Sequence, residues 1–173
     1  MDTFWKTVIG QQFGAAIDML ENAICVCPDD VWSDPTKKPE WVANDIVGFW
    51  YLAYHTLFFL DFYLSDSMED FGPPAPFNRD EFDPAGLLPD QPYSKDVLLH
   101  YLDHCRRKCH QAIDSLTDEK ARQLSVRPEQ NLTVAERLLS NMRHVQHHTA
   151  QLNLVLRQKC DSAPRWVSSS SRR

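Results

Sequence analysis

Histidines spaced four residues apart are the first pattern in this chain that could do chemistry. An α-helix advances about 100° per residue, so side chains four apart stand on one face and can share a metal ion. Two pairs have this spacing, His144 with His148 and His100 with His104. Each pair could give two imidazole ligands to a divalent metal, and the orientation of each helix decides between them.

The pair His144 and His148 lies beside an apolar stripe of its helix. The stripe consists of Leu138, Met142, Val145, Thr149, Leu152 and Leu156. Both histidines fall about 80–100° from its centre, on a line that borders the core and can face a cavity at the edge of a bundle. His147 points nearly opposite the stripe, so we expect it at the surface.

The second pair has a different orientation. Its helix buries a stripe made of Leu98, Leu102, Cys105, Cys109, Ala112, Ile113 and Leu116. His100 and His104 lie about 160° from that stripe. Both are therefore expected to face water and to take no part in a metal site.

Cysteines offer a third candidate, because Cys105 and Cys109 are also four apart. Two thiolates make a strong zinc pair when other ligands converge. In an apolar stripe, however, cysteines usually behave as small hydrophobic residues, and we interpret these two, with Cys25 and Cys27, as packing residues. The odd count of five cysteines and the lack of a signal-peptide pattern predict a reducing, cytoplasmic location.

His55 is the one histidine within the longest uncharged apolar run, which extends from Ile46 to Leu60. This run is shorter than the roughly 20 residues that a membrane span needs, so it predicts a buried helix of a soluble bundle. A single core histidine is more often a hydrogen-bonded packing residue than a ligand. His144 and His148 together lack a third ligand, however, and this makes His55 a candidate for that position.

Four helices are predicted to position these side chains. Apolar periodicity and end signals place them at about Phe4–Cys27, Trp41–Ser65, Ser94–Leu116 and Thr133–Lys159. Thr133 and Glu136 form a capping-box pattern, which predicts the start of the last helix. The expected fold class is all-α, a four-helix bundle over residues 1–160 followed by a flexible Ser-rich tail over residues 161–173.

A proline-rich segment, residues 65–95, separates the second and third helices. Its six prolines exclude a regular helix, and its length suits a crossover that joins two parallel helices. It also contains residues of the kind usually buried, namely Phe71, Phe77, Phe82, Leu87 and Leu88. We therefore expect it to pack down as a lid over one end of the bundle.

The composition argues against two classes of partner. A formal net charge of -6 and a pI near 5.6 disfavour a protein that follows a nucleic-acid backbone, which needs a basic surface. No apolar run is long enough for a membrane span. We expect neither nucleic acid nor membrane as a partner.

A family resemblance rests on two stretches of the chain. They are FWYLAYHTLFFLDFY at residues 49–63 and RHVQHHTAQL at residues 143–152. Both resemble the DinB/YfiT-like family of metal-binding four-helix bundles. The resemblance covers nearly the whole chain except the tail. It implies one divalent metal ion, zinc or nickel, bound by one histidine of the second helix and two of the fourth. Carried over by position, these are His55, His144 and His148.

Three neutral imidazoles leave a bound ion its full charge and an open coordination position. A water there can reach a pKa near ~7, and a thiol would lose its proton. Hydrogen-bond acceptors usually orient the rings of ligand histidines. By helical proximity, Gln151, Asn141 and Asp61 are candidates for this role.

The resemblance implies a site more firmly than a substrate, because similar proteins transfer low-molecular-weight thiols, isomerise thiol-linked substrates or are regarded as metal-dependent hydrolases. We expect a metal-dependent enzyme acting on a small molecule, with thiol transfer ahead of hydrolysis. Two alternatives stay open: a stress-associated or partner-binding bundle with a structural metal, and a bundle whose histidines bind no metal. A homodimer through an aromatic helix face is also kept open.

Overall fold

A computed structural model describes residues 2–34, 48–69, 71–83, 91–125 and 131–171. These residues contain six α-helices, one 3-10 turn and no strand. The helices are α1 Thr3–Val26, α2 Asp29–Trp32, α3 Phe49–Leu64, α4 Lys95–Asp114, α5 Asp118–Arg122 and α6 Val134–Cys160, and the 3-10 turn is Asp80–Phe82. The all-α class predicted from periodicity is confirmed.

Side-chain caps fix where the long helices begin. Ser94 accepts a hydrogen bond from the Val97 amide at the start of α4. At the start of α6, Thr133 accepts from the Glu136 amide, and the Glu136 carboxylate accepts from the Thr133 amide. These bonds satisfy amides that a helix leaves unpaired at its first turn. Both predicted starts are therefore confirmed.

The four long helices α1, α3, α4 and α6 form the bundle, and α1 and α4 are antiparallel neighbours within it. Lys6, near the start of α1, donates to the Asp114 carbonyl at the end of α4. Arg106, in the middle of α4, pairs with Asp18 further along α1. Residue numbers therefore increase along α1 in the direction in which they decrease along α4, so the two helices are antiparallel.

The crossover joins two parallel helices, as its length predicted. On α3 and α4, the Leu57 carbonyl lies 3.6 Å from the Cys105 thiol. The Ser65 hydroxyl, directly after the end of α3 and eight residues beyond Leu57, accepts from Lys108 at 2.7 Å. Numbers therefore rise together along α3 and α4, and residues 65–94 must return the chain from one end of the bundle to the other.

Aromatic packing holds the described part of the crossover, residues 71–83, against the bundle. The Phe77 ring stacks on Tyr54 of α3 at 5.7 Å and on Tyr101 of α4 at 4.4 Å between centroids. The Phe82 ring lies 4.5 Å from the Phe62 ring. Phe71 is completely buried. Burial of rings of this size contributes strongly to stability, so this segment packs down as expected.

Several sequence-based predictions are untested or differ from the structure. The first part of the predicted second helix, residues 41–47, and Leu87 and Leu88 of the crossover lie outside the described residues. The short helices α2 and α5 were not predicted. Cys105, Cys109 and Cys27 are buried, but the packing interpretation is wrong for Cys25, which is exposed.

The end of the C-terminal tail, residues 168–171, lies against α1. The Ser170 amide donates to the Gln11 carbonyl at 3.1 Å, and Gln12 donates to the Ser168 carbonyl at 3.0 Å. A methyl group added at Gly14 would meet the Ser170 side chain at 3.0 Å. The mobility expected for this tail stays a prediction, against which these contacts argue.

Within the described ranges, no helix combines the length and apolar character needed to cross a bilayer.

Candidate metal centre

His55 of α3 and His144 and His148 of α6 meet at the interface of these two helices. The ring centroid of His55 lies 5.6 Å from that of His144 and 4.9 Å from that of His148. The rings of His144 and His148 are 4.5 Å apart. One ring nitrogen from each histidine lies within 4.8 Å of the others. The structure thus brings together the three residues expected to bind a metal.

Aromatic rings surround the cluster on the α3 side. Tyr51 and Phe59 lie one helical turn before and after His55, with centroids 6.0 and 4.7 Å from its ring. Tyr63, one turn further, lies 5.8 Å from the His144 ring. The four-residue spacing of these aromatic residues in α3 places them on the same helix face as His55. Their rings form apolar walls of the site.

Two polar side chains orient the histidine rings. His148 Nδ1 lies 2.7 Å from Gln151 Oε1, and His55 Nδ1 lies 2.9 Å from Glu81 Oε2. Each acceptor requires the proton on Nδ1, so Nε2 of His55 and of His148 carries the lone pair that a metal needs. Carboxylate and amide acceptors in this position are typical of metal-binding histidines.

Gln151 was predicted for this role, whereas Asn141 and Asp61 act elsewhere. Asn141 donates to the Leu60 carbonyl at 3.0 Å. Asp61 is completely buried and accepts from Tyr101 and Lys108 at the interface of α3 and α4. Neither residue therefore orients a ring of the cluster.

Glu81 was missed because nothing periodic marks a residue in the crossover. Its side chain is only 3% exposed although it comes from an irregular segment. One signal was available, since Glu81 precedes Phe82, a residue of the kind usually buried. When Phe82 packs against the bundle, the preceding residue Glu81 is also held close to the bundle.

Burial keeps the α6 imidazoles neutral. It lowers the pKa of His144 to about 3, with further lowering by His148, His55 and His147. It lowers the pKa of His148 to about 4, although the hydrogen bond with Gln151 acts in the opposite direction. Neutral imidazole is the form that binds metals, so both rings are available at neutral pH.

The donor set fits a divalent metal ion. His144 Nδ1 is buried and has no hydrogen-bond partner among the described residues. An unpaired buried polar atom is unfavourable unless something satisfies it. Imidazole nitrogens are usual ligands of zinc and nickel. His55, His144 and His148 are the residues that would hold such an ion.

The remaining histidines are not part of this three-histidine cluster, although the ring of His147 lies 5.0 Å from that of His148. His147 and His100 are exposed, as expected. The expectation that His104 faces water is wrong in part, because its Nε2 lies 3.5 Å from Asp61 Oδ1 and its side chain is 36% exposed. Asp61 belongs to α3, and the face of α4 alone could not reveal that contact.

A shallow groove of about 560 Å³ runs beside the cluster on α6. Its described lining residues are Ser140, Arg143, His144, Gln146, His147 and Ala150. His144 therefore belongs both to the histidine cluster and to a groove that is open to solvent. Arg143 gives this groove a positive charge.

A four-helix bundle with a long crossover and three clustered histidines on α3 and α6 defines a class of candidate metal-binding bundles. Comparison with protein families identifies the class, because the sequence model of the DinB superfamily matches residues 12–152. The chain belongs to the DinB superfamily, as its resemblance implied. Comparisons with curated proteins and with solved structures give no match.

Proposed function

We propose that this protein is an enzyme that uses one divalent metal ion held by His55, His144 and His148. The observation that supports this proposal most directly is the composition of the cluster. Among the described residues it contains three histidines and no cysteine or carboxylate as a fourth ligand. Structural zinc sites usually have four protein ligands, whereas catalytic sites have three and an open position.

When bound, such an ion would lower the pKa of a coordinated water to near ~7 or deprotonate a coordinated thiol. The residues of the chain would then hold the reacting group. Phe59 and Tyr63 offer apolar walls for the body of a substrate, and Arg143 can attract an anionic group in the groove.

Thiol transfer is the reaction that we place first, with hydrolysis second. Hydrolysis at many metal sites also uses a side chain that acts as a general base or acid. Glu81 contacts the Nδ1 atom of His55, and so lies on the side of that ring away from the Nε2 atom that would bind the ion. A thiol that has lost its proton is already a strong nucleophile and needs no further base. We propose a low-molecular-weight thiol as one substrate.

Cobalt(II) substitution tests both parts of this proposal. Protein purified without an affinity tag is loaded with cobalt and titrated with glutathione, and thiolate coordination is followed by its charge-transfer absorption. We expect this absorption in the wild-type protein and in His100→Ala, and its loss in His144→Ala.

Three other outcomes are informative. Cobalt binding without any change on thiol addition, together with metal-dependent ester hydrolysis, would favour the hydrolase. Cobalt binding with neither response would favour a bundle whose metal is structural. Absence of metal binding to the wild-type protein would overturn the proposal.

A further inference from the structure

The contact between Glu81 and His55 connects the crossover to the histidine cluster. Glu81 Oε2 lies 2.9 Å from His55 Nδ1, and the two side chains are 3% and 12% exposed. The hydroxyl of Tyr51 also lies within hydrogen-bond reach of the Glu81 carboxylate. A carboxylate so deeply buried is unfavourable unless its partners remain in place.

We propose that Glu81 is the positioning residue for His55 and that metal binding fastens residues 71–83 of the crossover to the bundle. This inference rests on the proposed metal function. It adds that the metal site is completed by a segment outside the helices that carry the three histidines. Metal affinity and crossover docking are then two measures of one equilibrium.

The segment is built to hold Glu81 between two anchors. On one side Phe77 stacks between Tyr54 and Tyr101. On the other side Phe82 packs on Phe62. The Arg79 guanidinium donates to the carbonyl groups of Phe71 and Glu69 and closes the turn before Glu81. Detachment of the segment would therefore carry Glu81 away from His55.

The coupling has a physical cause. Because Glu81 occupies Nδ1, His55 presents Nε2 to an ion. A cation on Nε2 makes the Nδ1 proton more acidic, which strengthens its hydrogen bond to a carboxylate. Coupling between two sites is reciprocal. An ion that strengthens the contact with Glu81 must bind more tightly when that contact is present.

Trypsin can report on docking at a single peptide bond. Arg79 is the only lysine or arginine between residues 65 and 94, and its side chain is exposed. Cleavage after Arg79 falls between the Phe77 anchor and Glu81. It divides the chain into residues 1–79 and 80–173, which mass spectrometry identifies.

The experiment uses the full-length, tag-free protein with zinc or nickel as the probe. We expect metal to slow cleavage after Arg79 in the wild-type protein and to leave it unchanged in Glu81→Ala. Calorimetric titration should show metal affinity reduced about 10–100-fold in Glu81→Ala. Glu81→Gln keeps the shape and an acceptor oxygen but not the charge, and should recover part of the affinity.

Glu69→Ala is the matched control, since Glu69 is an exposed carboxylate of the same crossover. It should keep both wild-type affinity and wild-type protection. Wild-type affinity in Glu81→Ala, with cleavage indifferent to metal in the wild-type protein, would overturn this inference and leave the metal function standing. Absence of metal binding to the wild-type protein would instead overturn the function itself. Circular dichroism of each variant separates a loss of folding from a loss of contact.

Discussion

Lys108 of α4 donates to the carboxylate of Asp61 on α3 at 2.5 Å and to the carbonyl of the same residue at 3.1 Å. Tyr101 donates to the second carboxylate oxygen at 3.0 Å. Asp61 is completely buried, whereas the Lys108 side chain is 26% exposed. This network joins the two parallel helices at the end where the crossover begins.

Replacing Asp61 with Ala should therefore destabilise the protein strongly. Removal of one partner of a buried ion pair leaves the other charge uncompensated, which costs roughly 3–5 kcal/mol, and the partial exposure of Lys108 places the loss near the lower end. Urea unfolding followed by circular dichroism measures it. Arg107→Ala removes the exposed pair with Asp103 and should change the unfolding free energy by less than about 1 kcal/mol. Equal effects of the two changes would contradict this account.

Single replacement of His55, His144 or His148 by Ala should abolish the rise in melting temperature that metal produces. A ligand that binds only the folded state stabilises it by about 2.7 kcal/mol at a hundred times its dissociation constant. Differential scanning calorimetry with and without zinc measures this rise. His100→Ala should keep it, because His100 is exposed and its Nδ1 donates to the Asp96 carbonyl. Loss of the rise in His100→Ala but not in His144→Ala would place the metal on α4.

The metal-free protein should lose stability as the pH falls from about 6.5 to about 4. The pKa values of His144 and His148 are lowered to about 3 and about 4 in the folded state, against about 6.5 for a free histidine. Between these values the unfolded chain binds protons that the folded chain does not. The unfolding free energy therefore decreases with decreasing pH.

Urea midpoints at pH 7 and pH 5 measure this decrease. His144→Gln removes one of the two partly buried imidazoles of α6, so its midpoint should fall less between these pH values. His100→Gln, at an exposed position on α4 away from the cluster, should show the wild-type decrease. A decrease of the same size in His144→Gln would show that other groups cause it.

Gly14→Ala should release the C-terminal tail. Alanine favours the helix by about 1 kcal/mol over glycine, but its methyl group would meet Ser170 at 3.0 Å. We expect the Ser170 amide, which donates to Gln11, to exchange hydrogen faster in this variant. Gly10→Ala is the control, because nothing lies within 4 Å of the added methyl group. A tail that exchanges as fast in the wild-type protein as in Gly14→Ala would be mobile from the start, as its composition predicts.

Local chemistry explains which parts of this structure could be predicted. The start of α6 depends on Thr133 and Glu136, which are three residues apart, so the sequence contains the whole interaction. The positions of His144 and His147 follow from helical geometry and one apolar stripe. These features need no knowledge of the neighbouring helices.

Two of the misses, His104 and Glu81, have one cause, which is contact between segments distant in the sequence. His104 is drawn toward Asp61 by the parallel packing of α3 and α4, and Glu81 reaches His55 only because the crossover docks. Cys25 is a different case, since it lies near the end of α1, where the stripe alone does not define what is buried. Periodicity describes one helix at a time, whereas the surroundings of His104 and Glu81 depend on contacts between two elements.

The meeting of α3 and α6 brings together residues that are far apart in the chain, since His55 and His144 are 89 positions apart. An ion held by both would act as a reversible cross-link that closes a very long loop, comparable in its effect on the unfolded chain to a disulfide of the same span. Such a link cannot form on the ribosome before α6 has emerged. A nascent chain would therefore acquire its metal only after synthesis of the bundle is nearly complete.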